Sequence, residues 1–172
     1  MYFIWLITIF LGSTGLELLF ANIGITVPFL TLAAFYSFSV FRLPSTFPIA
    51  VISATMLDLM LGRSVMIHLL ILAAVIIVAA LWKKYADCAV PLLQAIPGAG
   101  SAFVWVVPML LSESFSQENL FPHLFYHNFM IFAQVILLSA VLTPLMILLL
   151  DYIAGNLEQR EFSNCQDREE NR

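Results

Sequence analysis

Residues 64–82 read SVMIHLLILAAVIIVAALW, and Lys83 and Lys84 follow them directly. A helix needs about 20 mostly apolar residues, within a range of roughly 17–25, to cross the hydrocarbon core of a bilayer. The stretch meets that length, and His68 is its only ionisable residue. It therefore predicts a membrane-spanning helix that ends at a pair of lysines.

The composition of the whole chain agrees with this prediction. Of its 172 residues 62% are hydrophobic and only 10% are charged, and the mean hydropathy is +0.97. A soluble domain is typically about 25% charged, because its surface must be wetted. The composition excludes a soluble enzyme, a nucleic-acid binder with a basic face and a disordered protein.

The charge is concentrated at the end of the sequence. Without that end the body of the chain is nearly uncharged, so the formal net charge of −4 says little about partners. We expect residues 155–172 to form a disordered tail, because they carry too few apolar groups to fold alone. The charged residues of this tail are Glu158, Arg160, Glu161, Asp167, Arg168, Glu169, Glu170 and Arg172.

Further apolar segments lie on both sides of residues 64–82. The predicted helices cover residues 2–20, 26–41, 47–61, 64–82, 89–112 and 128–150. The sequence thus predicts an all-α fold, a polytopic membrane bundle of five or six helices in one domain, residues 1–154.

Two of these segments have special features. Segment 26–41 is short for a span, and segment 89–112 holds three prolines and Gly98-x-Gly100. Proline is tolerated in a spanning helix where neighbours satisfy the freed carbonyls, so we expect a kink or a break there. A polar and aromatic loop is predicted at 113–126.

Basic residues in the short loops indicate the orientation. A cytoplasmic N-terminus places Arg42, Lys83 and Lys84 inside and only Arg63 outside, as the positive-inside rule favours. The C-terminus is then also cytoplasmic. The start of the chain lacks a basic n-region, so we expect the first span to be retained and not cleaved as a signal peptide.

The two cysteines indicate neither a disulfide framework nor a zinc site. Cys88 and Cys165 lie far apart in the sequence, without a CxxC or CxxH partner. In the predicted orientation both face the reducing side of the membrane, where thiols stay free.

Four ionisable residues fall at similar depth in this topology, and we call Glu17, Asp58, Arg63 and His68 the polar cluster. Ionisable side chains are costly in lipid and usually face the bundle interior or pair with one another. The cluster is either a proton or ligand site, or a mutually satisfied network that fixes helices one, three and four. We favour the network.

The third predicted helix carries small residues on one face. Ala50, Ala54, Asp58 and Gly62 recur every four residues and therefore share that face. Small residues at this spacing let another helix approach closely. The pattern predicts that Asp58 points into protein and not into lipid.

Other motifs give no catalytic, cofactor or metal site. Gly98-x-Gly100 lacks the rest of a dinucleotide or phosphate-loop motif. His123 and His127 are four residues apart, but no Glu lies between them and Pro122 precedes them, so a metal site is disfavoured. A Gly-x-Ser-x-Gly elbow is absent from the sequence, and no enzyme activity is expected.

Residues 54–62 read ATMLDLMLG, a small-residue stretch with a Leu-Asp pair followed by Gly. This segment resembles the signature of the MreD family, the rod shape-determining membrane proteins. The layout is also similar, with an early Pro28 before an apolar run, few spans and a charged end after the last helix.

The resemblance implies a non-catalytic membrane subunit of the bacterial cell-wall elongation machinery, needed for rod shape and for regulating peptidoglycan synthesis through protein contacts. It implies location in the bacterial inner membrane, with no nucleic-acid partner. Implied partners are MreC, the peptidoglycan transpeptidase and glycosyltransferase, and the MreB cytoskeleton. The candidate structural or partner-contact residues are Glu17, Ala54, Leu57, Asp58, Gly62, Arg63 and His68.

The fold of that family is similar to the six-helix substrate-binding subunits of vitamin transporters, which supplies the main alternative. Such a subunit needs an outward-facing pocket with converging polar groups, and Glu17, Asp58 and His68 are candidates to line one. An intramembrane enzyme has the least support from the sequence.

Overall fold

The computed structural model describes residues 2–63, 66–85, 93–116 and 121–156, with the side chains of all of these except residues 2 and 109–128. The described part forms six helices and contains no strand. The predicted all-α class is confirmed. The helices are α1 (Tyr2–Asn22), α2 (Phe29–Val40), α3 (Leu43–Met60), α4 (Ile67–Tyr85), α5 (Ala95–Ser116) and α6 (Phe121–Asn156).

Four of these helices are long and apolar enough to cross a membrane. They are α1, α3, α4 and α6, whereas α2 and the apolar part of α5 are shorter. Large apolar side chains cover the outward faces of the bundle, including Ile4, Ile52 and Leu70. A contiguous apolar exterior of this kind is stable in lipid and not in water, so the helical membrane bundle is confirmed.

The short helix α2 lies at the centre of the bundle. All of its 12 residues are buried, and it contacts each of the other five helices. A helix of this length is about 18 Å long, less than the roughly 30 Å of a bilayer core. The segment predicted as a short span is therefore an inner helix that the longer ones surround.

The start of α3 differs from the predicted residue 47. The helix begins at Leu43, with Pro44 in its first turn and Pro48 inside it. Proline is well tolerated in the first turn, because its missing N–H would have no partner there in any case. Pro44 thus opens α3, whereas the predicted bounds, 26–41 and 47–61, left it between two helices.

Two further helix bounds shift. Helix α4 begins at Ile67 instead of residue 64 and continues through both lysines to Tyr85. Helix α5 begins at Ala95, after a turn at Leu93 and Gln94, instead of at residue 89. Residues 64, 65 and 86–92 lie outside the described part of the chain.

The break expected in the fifth helix is not found. Helix α5 is continuous from Ala95 to Ser116 through Gly98 and Gly100. Pro97 lies in its first turn, where no intrahelical N–H is needed, and the Ser101 hydroxyl donates to the Gly98 carbonyl at 2.9 Å. The prolines and glycines of this segment were therefore misleading as signs of a break.

The predicted loop at 113–126 is also wrong in its extent. Helix α5 runs to Ser116 and α6 starts at Phe121, so only residues 117–120 separate them, and these lie outside the described residues. Helix α6 thus begins seven residues before the predicted 128. Pro122 fits the start of a helix for the same reason as Pro44.

The predicted tail starts inside a helix. Gly155 and Asn156 belong to the last turn of α6, and residues 157–172 lie outside the described part of the chain. Cys88 and Cys165 lie outside it as well, so the expectation of free thiols stays a prediction.

Candidate functional site: a buried polar cluster

The end of α3 is shaped by Gly62. Its φ is +67°, a left-handed conformation that glycine adopts without a steric penalty. The Gly62 N–H donates to the Leu59 carbonyl at 3.1 Å, and the Arg63 N–H donates to the Asp58 carbonyl at 3.0 Å. This pair of hydrogen bonds is the Schellman motif. It folds the chain back so that Arg63 lies beside Asp58.

Asp58 links the end of α3 to the start of α4. Its side chain is 1% exposed, and Oδ2 accepts a hydrogen bond from the His68 backbone N–H at 3.0 Å. His68 is the second residue of α4, so that N–H has no partner within the helix. A carboxylate at this place also interacts favourably with the helix dipole. Asp58 therefore caps α4 from another helix.

Glu17 does the same for α2. The residue before α2 is Pro28, which makes no side-chain capping bond. Instead Glu17 of α1 accepts the Leu30 backbone N–H at Oε2, at 2.9 Å. Leu30 is the second residue of α2 and its N–H is also free of an intrahelical partner. The buried start of the central helix is thus satisfied by a carboxylate 13 residues earlier.

His68 joins the two carboxylates. Nδ1 lies 2.6 Å from Oδ1 of Asp58, and Nε2 lies 3.5 Å from Oε1 of Glu17. The second contact is within ion-pair distance but lacks hydrogen-bond geometry. The imidazole, 1% exposed, is the side chain that connects α1 to the α3–α4 pair.

Arg63 supplies a cationic group at the edge of the cluster. Nη1 lies 3.6 Å from Oδ1 of Asp58, and the side chain is 26% exposed. Nη1 is also 3.3 Å from Nδ1 of His68. Nη1 of Arg63 and Nδ1 of His68 both approach the same atom, Oδ1 of Asp58. Arg63 and His68 therefore share one carboxylate oxygen.

The structure brings all four members of the polar cluster together. It also buries the small-residue face of α3, since Ala50 and Ala54 are fully buried, as is the candidate Leu57. Asp58 lies on that face and points into protein, as the spacing predicted. Gly62 lies after the end of α3, where it forms the turn toward α4. It belongs to the four-residue pattern because of that turn more than because another helix packs closely against it.

A second polar contact lies away from the cluster, and sequence reasoning missed it. The hydroxyl of Tyr36, in the buried helix α2, donates to Oδ1 of Asp151 on α6 at 2.9 Å. A tyrosine inside an apolar run and an aspartate at the end of the last span were the available signals. Their separation of 115 positions in the sequence gave no reason to pair them.

No group of three or more potential metal ligands is found among the described residues. His123 and His127 lie in the first turns of α6, and their side chains fall outside the description. The chemistry of the described cluster is therefore that of carboxylates, an imidazole and a guanidinium. These groups can cap helices, form ion pairs and exchange protons.

Comparisons of the chain with protein-family models, with curated proteins and with solved structures find no match. The resemblance of residues 54–62 to the MreD signature stays a prediction. Inferences about function therefore rest mainly on the geometry of the polar cluster.

Proposed function

We propose that this chain is a non-catalytic scaffold subunit of the bacterial cell-wall elongation machinery, related to the MreD family. One observation carries the proposal. Every carboxylate oxygen of Asp58 and Glu17 faces a donor or an imidazole nitrogen of this same chain. The central acidic residue of the family-like segment thus organises the bundle, as expected of a protein that presents a helical surface to partners.

The partners proposed for that surface are MreC, the peptidoglycan transpeptidase and glycosyltransferase and, on the cytoplasmic side, the MreB cytoskeleton. The proposed location is the bacterial inner membrane. The apolar side chains on the outward faces of α1 and α3, such as Ile4 and Ile52, support contacts with lipid or with the spans of other membrane proteins. Regulation of peptidoglycan synthesis would then proceed through contacts between helices.

The proposed orientation follows the distribution of basic residues. Since α3 ends and α4 begins at the polar cluster, Arg42, Lys83 and Lys84 lie at the opposite end of this helix pair. We call that the lysine end. The positive-inside rule places the lysine end in the cytoplasm and Arg63 on the outer side.

Two substitutions of Asp58 test the proposal. Asp58→Asn keeps an oxygen that can accept the His68 N–H and should preserve rod shape and partner binding. Asp58→Leu also removes the acceptor of the His68 N–H, and a buried donor left without a partner costs about 1–3 kcal/mol. It should weaken the bundle and abolish association with the partners. The readouts are cell shape in a strain with only the variant and co-purification in mild detergent.

The matched control is Asp151→Asn, which removes a carboxylate charge from α6 while keeping an acceptor for Tyr36. It should behave like the wild-type protein in both assays. Normal rod-shaped growth with Asp58→Leu as the only copy would defeat the proposal.

A second candidate is the substrate-binding subunit of a vitamin-type transporter. It is favoured by hydroxyl oxygens on the buried helix α2, because Oγ1 of Thr31 and Oγ of Ser37 are buried without a hydrogen-bond partner among the described residues. Such groups could meet a polar ligand inside the bundle. Saturable vitamin binding by the purified protein, lost in Thr31→Val and Ser37→Ala with the fold intact, would favour this candidate over the scaffold.

A further inference from the structure

The contact between His68 and Glu17 has an unusual proton requirement. Nδ1 of His68 lies 2.6 Å from Oδ1 of Asp58, within hydrogen-bond distance. A lone pair and a carboxylate oxygen repel at this distance, so the contact needs a proton, and we place it on Nδ1. In a neutral imidazole the other nitrogen then has none and presents a lone pair. That nitrogen, Nε2, lies 3.5 Å from a carboxylate oxygen of Glu17.

Two acceptors facing each other in a buried site repel unless a proton lies between them. Nε2 is fully buried and has no hydrogen-bond partner among the described residues. A proton on Nε2 makes His68 a cation between two carboxylates, and a proton on Oε1 makes Glu17 a neutral donor toward Nε2. Either arrangement turns the repulsive contact into an attractive one.

The charge of the cluster leads to the same result. Glu17 and Asp58 bring two negative charges, whereas Arg63, which is partly exposed, brings one positive charge. Among the described side chains α2 has no charged residue, and Tyr36, its one titratable group, is engaged with Asp151. The described side chains of α5, residues 95–108, include no ionisable group. One further proton makes the cluster neutral, as burial favours.

We propose that the polar cluster is a proton-binding site that holds one exchangeable proton between Nε2 of His68 and Oε1 of Glu17. The proton attaches α1, which carries Glu17, to α4, which carries His68. Its loss leaves a carboxylate opposite a lone pair and weakens that attachment. The site would thus couple proton uptake to the packing of α1, and this inference stands independently of the proposed scaffold role.

The test uses the full-length protein in lipid, labelled with ¹⁵N-histidine. The His68 ring signal is assigned by its loss in His68→Gln, and infrared spectra record protonated carboxyl groups. In wild-type protein at neutral pH we expect either a doubly protonated His68 ring or a protonated carboxyl band that Glu17→Gln removes. A ring protonated on Nδ1 alone, without such a band, would overturn the proposal.

Glu17→Gln also supplies the matched variant, because a glutamine can accept the Leu30 N–H and donate its own N–H to Nε2. In this variant His68 should be neutral with its proton on Nδ1, one proton fewer than in wild-type protein. Raising the pH should lower the melting temperature of wild-type protein more than that of Glu17→Gln. Asp151→Asn, away from the cluster, should follow the wild-type profile. Parallel profiles for wild-type and Glu17→Gln would contradict the proposal.

Discussion

Gly62 and Asp58 act as one unit at the scale of single residues. Gly62 adopts a positive φ and so places Arg63 next to the carboxylate that accepts the free N–H of His68 at the start of α4. A carboxylate near the C-terminal end of a helix is unfavourable for the helix dipole, so Asp58 requires these partners. The small number of residues between Asp58 and His68 makes the whole arrangement a local one.

The first prediction concerns Gly62. Gly62→Ala should lower the free energy of unfolding by about 1–2 kcal/mol, because a side chain at positive φ is strained whatever space surrounds it. Thermal unfolding in detergent measures the change. Gly15→Ala is the matched control, since a Cβ at Gly15 meets nothing within 4 Å and its backbone is helical. A Gly62→Ala variant as stable as Gly15→Ala would contradict the role assigned to the turn.

At the scale of helices, the starts of α2 and α4 are completed by other helices. Glu17 of α1 caps α2, and Asp58 of α3 caps α4. A helix start buried in a membrane needs such partners, because no water is present to satisfy its N–H groups. This explains how α2, only 12 residues long, can lie wholly inside the bundle.

Helices α5 and α6 are joined by a close approach at Gly98. A Cβ at this position would lie 2.8 Å from the Ser139 backbone carbonyl oxygen and would also clash with the side chain of Thr143. A backbone atom cannot move away as the end of a flexible side chain can. The glycine motif that the sequence suggested as a helix break is instead part of a helix–helix contact, as small residues often are in membranes.

The second prediction follows from this contact. Gly98→Ala should separate α5 from α6 and cost about 1–3 kcal/mol, the range for overpacking a close contact. Gly100→Ala lies two residues away on the same helix, where a Cβ meets nothing within 4 Å, and should be neutral or slightly stabilising. Thermal unfolding of both variants in the same detergent distinguishes them. Equal melting temperatures would show that the two helices adjust without cost.

The orientation of the bundle is a property of the whole molecule. It gives the third prediction, which uses a variant whose native cysteines are replaced by serine. A cysteine at Ser116, at the end of α5 away from the lysine end, should react with an impermeant reagent in intact cells. A cysteine at the exposed Tyr85, at the lysine end, should react only after lysis. The reverse pattern would invert the proposed topology.

The fourth prediction concerns the charged tail. Deleting residues 159–172 should leave membrane insertion and folding intact, because this segment carries too little apolar surface to pack on the bundle. The melting temperature of the detergent-solubilised protein should change by no more than a few degrees, about the effect of 1 kcal/mol or less. A large drop would show that the tail packs on the body.

The sequence alone determined that the chain is a helical membrane bundle, because the length and polarity of consecutive residues decide whether a segment is stable in lipid. It also grouped Glu17, Asp58, Arg63 and His68, since counting residues along spans gives their depth. It did not give correct helix bounds near prolines and polar residues. Those bounds depend on whether neighbouring helices satisfy the freed backbone groups.

Only the tertiary structure decided which atoms meet. The Leu30 N–H donates a hydrogen bond to Glu17, 13 positions earlier in the chain. The Tyr36 hydroxyl donates one to Asp151, 115 positions later. No local pattern encodes such pairs, because hydrogen bonding between segments depends on how whole helices pack and rotate. The same is true of the proton proposed between Nε2 of His68 and Oε1 of Glu17. The need for it arises from the positions of two acceptors on α4 and α1, which the fold alone brings within 3.5 Å.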